Sequence, residues 1–124
     1  DDFLLGVREL CDEENILLIL DEVQTSFGRT GKLFACEHWG VTPDVMCLAK
    51  PFAGGLPIGI TVAKENVMSS LKVGEHSTTF SGSPLVCAAG CAAIDVLVRL
   101  WADTSRLSWK SCRLSIKSLK RSAV

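Results

Sequence analysis

The sequence predicts an α/β layered fold, and three observations predict it. Two uninterrupted apolar runs, Ile16–Leu20 and Val45–Ala49, each end in a charged residue. Stretches with helical spacing of apolar residues lie around them, and glycine- and proline-rich loops separate the two kinds of segment. Strands alternating with helices are the pattern of a sheet covered by helical layers.

Residues 3–14 open the chain with Phe3, Leu4, Val7, Leu10 and Cys11 at helical spacing, which predicts a helix. Ile16–Leu20 has no polar alternation and suits a strand buried on both faces, as in a parallel sheet. Residues 25–32 (TSFGRTGK) are a polar loop, and a short helix over Leu33–Trp39 should stop at Gly40. Pro43-Asp44 opens the second apolar strand, Val45–Ala49, which ends in Lys50. The loop PFAGGLPIG (51–59) has three glycines and two prolines and must hold a defined shape. A third strand is expected over Ile58–Ala63 and a helix over Glu65–Leu71. Residues 74–84 are again loop. Pro84 then suits the first turn of a long helix whose body is rich in alanine and leucine.

The chain has 124 residues, 48% of them hydrophobic and 22% charged, which suits a folded domain and excludes a disordered or collagen-like chain. No apolar run approaches the ~18 residues of a membrane helix. The formal charge of −1 predicts no attraction to nucleic acid or to a membrane surface. Charge is unevenly placed: residues 1–100 hold 7 basic against 13 acidic side chains, and residues 101–124 hold 6 against 1. That split suggests residues 1–101 as one partial domain and 102–124 as a basic, serine-rich tail, either a solvated helix or a segment unrelated to what precedes it. The chain begins with Asp1 rather than Met and is rich in apolar residues for its size, so it is expected to be a piece of a longer protein.

Six cysteines (Cys11, Cys36, Cys47, Cys87, Cys91, Cys112) form no CxxC pair, and His38 and His76 fit no zinc spacing. Free, mostly buried thiols in a reducing compartment are expected, and no metal. That points to the cytoplasm, with an organellar matrix as the alternative.

Three residues stand where chemistry is done. Lys50 closes an apolar strand before a glycine-rich loop, and ligands bind at strand C-terminal ends in open α/β sheets. A lysine desolvated there becomes an amine nucleophile for Schiff-base chemistry; the alternative is a lysine reaching out to water. Asp21 holds the same place on the other strand. It can cap the next turn, or it can hold a positive charge such as the pyridinium nitrogen of pyridoxal phosphate. Thr79 lies in a hydroxyl-rich loop before a helix N-terminus, which suits phosphate oxygens or ordinary capping.

Together these residues become specific. The islands DEVQ (21–24), GRTGKLFA (28–35), PD (43–44), AK (49–50), GGLPIG (54–59) and TF-x-G-x-P (79–84) resemble the class III, pyridoxal-phosphate-dependent aminotransferases. The likeness runs from about Phe3 to Leu97 and is nearest the acetylornithine aminotransferase branch. It implies the three-layer αβα fold of fold type I, of which this chain would be the central part of the large domain. It implies a homodimer that moves an amino group from an ω-amine such as N-acetylornithine to 2-oxoglutarate. The ornithine, 4-aminobutyrate and diaminopelargonate enzymes are the alternatives.

By resemblance, Lys50 matches the Schiff-base lysine, which also moves the proton between the substrate α-carbon and the cofactor. Asp21 matches the carboxylate that keeps the ring nitrogen protonated, Val23 the apolar residue on the ring face, and Gln24 the polar group near the ring hydroxyl. Thr79 matches a threonine that reaches the neighbouring subunit's cofactor phosphate. Thr78 stands where the branch has a substrate-contacting serine.

Ser26 departs from a usual glycine, and serine would be strained there if that position needs positive φ. Ser77, Ser81, Ser83 and Ile60 are small departures that remove no cofactor group. The family's second phosphate loop, its ring-stacking aromatic and its substrate arginines match nothing in these residues, so the chain by itself is expected to be inactive. A P-loop ATPase is the remaining reading of ILLILDE (16–22). It needs G-x-x-x-x-G-K-[ST] upstream, and only the shorter GRTGK (28–32) occurs, after the strand.

Overall fold

A computed structural model describes residues 2–76 and 78–104, the side chains of 101–104 excepted. Seven elements follow in order: α1 (Phe3–Glu13), β1 (Ile19–Asp21), a 3₁₀ turn (Ala35–His38), β2 (Val45–Leu48), β3 (Ile60–Ala63), α2 (Glu65–Met68) and α3 (Pro84–Thr104). All seven answer to segments read from the sequence. β1 starts three residues later than the expected Ile16 and runs to Asp21, the third strand and α2 are shorter than expected, and the turn before Gly40 is 3₁₀ rather than α. Glu37 starts that turn by folding its carboxylate back onto the Phe34 N–H, 2.9 Å away. The basic tail beyond Thr104 and Cys112 lie outside the described residues.

The three strands form one sheet in the order β1-β2-β3. β1 and β2 are parallel with Ile19 beside Val45, whereas β3 runs antiparallel to β2 with Ile60 beside Leu48. The sheet is therefore mixed rather than wholly parallel. Its strands alternate, so Met46, Leu48, Ile60 and Val62 share one face, and these pack with Phe52, Ile94 and Val98. Here α3 supplies Gly90, Ile94 and Val98 at four-residue spacing. A Cβ at Gly90 would lie 3.3 Å from the Phe52 ring, so glycine lets the helix seat on the loop after β2.

The opposite face departs from the expectation of burial on both sides. Ile19 is 59% exposed, and Ile16 and Leu17 are exposed beside it; only Leu18 of that run is buried. The apolar run encodes a strand with two covered faces, but in these residues β1 has one neighbour and one covered face.

At the end of the sheet away from Lys50, Asp44 ties three elements together. Its carboxylate accepts from Lys64 Nζ (2.6 Å), from the Leu18 N–H (2.8 Å) and from Arg8 Nη1 (2.9 Å). The Lys64 contact first, then the Leu18 amide and Arg8, hold its carboxyl well below the ordinary carboxylate value of 3.8. A depressed acid stabilises the fold above its ordinary value, and that stability is lost as pH falls toward the folded value. Unfolding free energy should therefore drop below about pH 4. Asp44→Asn should cost roughly 2 kcal/mol at pH 7 and flatten the acid limb. Urea titrations at pH 7 and pH 3 check this, and an Asn variant as acid-sensitive as the original would disprove it.

No helix among the described residues is long and apolar enough to cross a membrane.

Candidate active site

The register of the sheet builds the site. Asp21 is paired with Cys47 across parallel strands, and Lys50 follows three residues later, so both stand at the C-terminal end of neighbouring strands. Strands lie about 4.8 Å apart, which brings the two charged groups to one edge. Alternation points Asp21 away from the α3 face and turns the next residue, Glu22, inward.

Lys50 Nζ donates to Gln24 Oε1 at 2.6 Å, which joins two of the sequence-predicted residues directly. Lys50 is exposed, the water-reaching alternative of the two that its strand-end position allowed, so this chain orients the amine by a hydrogen bond rather than by burial. Beside it, Lys50 lines an open, shallow cleft of about 520 Å³ with Gly55, Leu56, Pro57, Ile58 and Gly59. That volume is within the range of small-molecule sites. Gly54 (φ +62°) and Gly55 (φ +111°) take backbone conformations that side-chain-bearing residues avoid, which explains the double glycine where the loop enters the cleft wall at Gly55.

Asp21 Oδ1 accepts from the Val23 N–H at 2.9 Å, so the carboxylate does cap its own turn. Its other oxygen has no partner among the described residues, and capping leaves it free for a ligand. Val23 is half-buried. Thr78 and Thr79 are both exposed in the turn before α3; Thr78 Oγ1 accepts from the Phe80 N–H at 3.2 Å. Neither threonine joins the Lys50–Gln24 pair.

Sequence reading missed Glu22 as an organiser of this region. It is 3% exposed, and its carboxylate accepts from Thr25 Oγ1, from the Ala35 N–H (3.1 Å) and from the Cys36 N–H (2.9 Å). Burial first, and then the charge of Glu22, push the Cys36 thiol up to about 12, so this cysteine is no nucleophile. Of the five described cysteines, all free, only Cys36 is buried; the others are half-buried, a correction to the expectation of mostly buried thiols. No group of His, Cys, Asp and Glu suited to a metal occurs among the described residues.

Ser26 is also corrected. Positive φ falls on the next residue, Phe27 (φ 58°), not on Ser26. The serine's cost is different: it is fully buried and its Oγ has no hydrogen-bond partner among the described residues, a defect worth about 1–3 kcal/mol.

Comparison with known proteins follows the same residues. The family model for class III aminotransferases matches residues 1–110. The acetylornithine aminotransferase of Methanocaldococcus jannaschii is 52% identical over 102 residues, covering 82% of this chain and 26% of that protein. The putrescine aminotransferase of Pectobacterium atrosepticum is 57% identical over 101 residues, covering 79% and 22%. Among solved structures, the acetylornithine aminotransferase of Elizabethkingia anophelis superposes with a TM-score of 0.75 at 46% identity, covering 79% of this chain and 26% of that one. The ornithine aminotransferase of Toxoplasma gondii, in a crystal with pyridoxal phosphate partly occupying its active site, gives 0.75 at 43% identity, covering 78% and 23%. The chain spans about a quarter of the length of the curated relatives it matches.

Proposed function

Because this chain belongs to the class III aminotransferases, we propose that a protein carrying it moves an amino group from an ω-amine such as N-acetylornithine to 2-oxoglutarate, with pyridoxal 5'-phosphate as cofactor. The observation that carries this reading is the Lys50–Gln24 hydrogen bond at the strand ends beside Asp21. The activity is assigned to the whole protein, since the chain is a fraction of its relatives' length. The names of those relatives speak of acetylornithine, putrescine and ornithine. All three are short-chain amines with a terminal primary amino group, which supports the class of donor.

The donor set fits the cofactor. Lys50 offers an amine to its aldehyde carbon. The unpartnered oxygen of Asp21 suits a protonated ring nitrogen, the Gln24 amide suits the ring hydroxyl, and half-buried Val23 offers an apolar wall. When bound, pyridoxal phosphate supplies a ring that accepts charge from the amino-bearing carbon. Lys50 Nζ would hold the cofactor covalently and, once released by the incoming amine, would take the proton from the substrate carbon and deliver it to the cofactor's aldehyde carbon. Gln24 Oε1 keeps Nζ near that path, as its present hydrogen bond does. Asp21 would hold the ring nitrogen's proton. Thr79 Oγ1 would donate to a cofactor phosphate of a neighbouring subunit in a homodimer, and Thr78 would contact substrate.

Borohydride reduction of the cofactor-loaded protein, followed by peptide mapping, tests the reading. The expected result is a pyridoxyl group on Lys50; no label, or a label on another lysine, would overturn it. Rates with N-acetylornithine, ornithine, putrescine and 4-aminobutyrate then rank the donors.

A further inference from the structure

Glu22 is buried next to Asp21 without any part in the chemistry above. Its backbone N–H donates to Cys47 O at 2.9 Å, which extends the β1–β2 ladder one residue past Asp21. Its backbone oxygen accepts from the Ser26 N–H at 3.1 Å, closing the turn that contains Val23 and Gln24. Its side chain takes the three donors of Thr25, Ala35 and Cys36, two of them the first amides of the 3₁₀ turn. One residue therefore fixes both ends of the segment between the strand and that turn. Between those ends, the loop is braced by the Phe27 N–H to Leu33 O at 2.7 Å and by the Phe27 ring packed at a tilt against Phe52, with centroids 4.5 Å apart.

A buried carboxylate persists only where several donors satisfy it. Here the donors come from residues 13 and 14 positions downstream as well as from its own turn. The one-residue step matters too. Asp21 and Glu22 must face opposite ways, so holding Glu22 inward holds Asp21 outward. Gln24 lies two residues on, inside the turn that Glu22 closes, with its amide on Lys50.

We propose that Glu22 is a positioning residue: by tying the end of β1 to the 3₁₀ turn through its buried carboxylate, it aims Asp21 and holds Gln24 on Lys50. This rests on the functional reading above, in which those three residues face the cofactor. The neutral isostere is a fair test, because Glu22→Gln keeps the volume but turns an amide N–H against one of the three donors.

The test uses the full-length protein in two states. In cofactor-free protein labelled with ¹⁵N-glutamine, Lys50→Ala marks where the Gln24 side-chain amide signal goes when the contact is lost. Glu22→Gln is expected to move that signal to the same place, and Thr25→Val, which removes one donor, to move it part of the way. In the loaded enzyme, Glu22→Gln should lower kcat by about ten- to a hundredfold, as expected for a misaimed group. The double variant Glu22→Gln/Gln24→Ala should be no slower than Glu22→Gln alone, because the Gln24–Lys50 contact is already lost in that single variant. A residue that merely supports the fold would lower the melting temperature, leave the Gln24 signal in place and add its rate loss to that of Gln24→Ala; that result overturns the proposal. Because the glutamine signal is read without cofactor, it stands or falls separately from the label on Lys50. If Glu22→Gln does not fold, Thr25→Val decides alone: an unmoved Gln24 signal in that variant is equally fatal.

Discussion

Lys50→Ala is expected to lower transamination by 10⁴-fold or more while leaving the fold intact. General acid–base help alone contributes 10²–10⁴, and the covalent attachment is lost with it. Lys50 is exposed, and its one hydrogen bond among the described residues is to Gln24, so truncation removes no buried contact there. Lys50→Arg should be no rescue, because a guanidinium stays protonated in proteins and cannot take the proton. A small primary amine added to the Lys50→Ala protein should restore part of the rate, since it replaces the missing proton carrier but not its position. Steady-state rates with and without the added amine check this. A Lys50→Ala protein within tenfold of the original rate would show that another group does the work.

That lysine was legible because its signal is local. An apolar run ending in Lys50, followed by PFAGGLPIG, states a strand end and a shaped loop without any knowledge of distant residues. α3 was legible for the same reason: Pro84 marks its start and the apolar residues follow at helical spacing. Two kinds of feature were not. The direction of β3 depends on its partner strand, and the chain's own pattern is the same for either direction. Glu22 and Asp44 look like surface charges at a strand end and in a turn, yet both are buried. Most of their donors are backbone amides or residues 13 to 36 positions away in sequence, which no residue type announces. The adjacent acids at 21 and 22 did hold a clue, since a strand must turn one of two neighbours inward. Burial of Ile16–Leu20 was overestimated because an apolar run reports what a strand is suited to, not how many neighbours cover it in these residues.

Asp21→Asn separates the structural duty of that carboxylate from its chemical one. The amide oxygen of asparagine can still accept from the Val23 N–H, as Asp21 Oδ1 does at 2.9 Å, so the turn after β1 keeps its cap. The second position changes from an acceptor with negative charge to a neutral donor. A donor there cannot hold a proton on the ring nitrogen, and an unprotonated ring is a poor acceptor of carbanion charge. Removing one preorganised electrostatic group of this kind costs about 10²–10³ in rate, or roughly 3–4 kcal/mol at 1.36 kcal/mol per decade. The exposed capping bond is worth only about 1 kcal/mol, so its loss could not imitate that effect. Asn should therefore be slow and as stable as the original, whereas Asp21→Ala should be equally slow and slightly less stable. Thermal melts and single-turnover rates on the two variants distinguish the duties. An Asn variant within tenfold of full rate would leave Asp21 as a turn cap and nothing more.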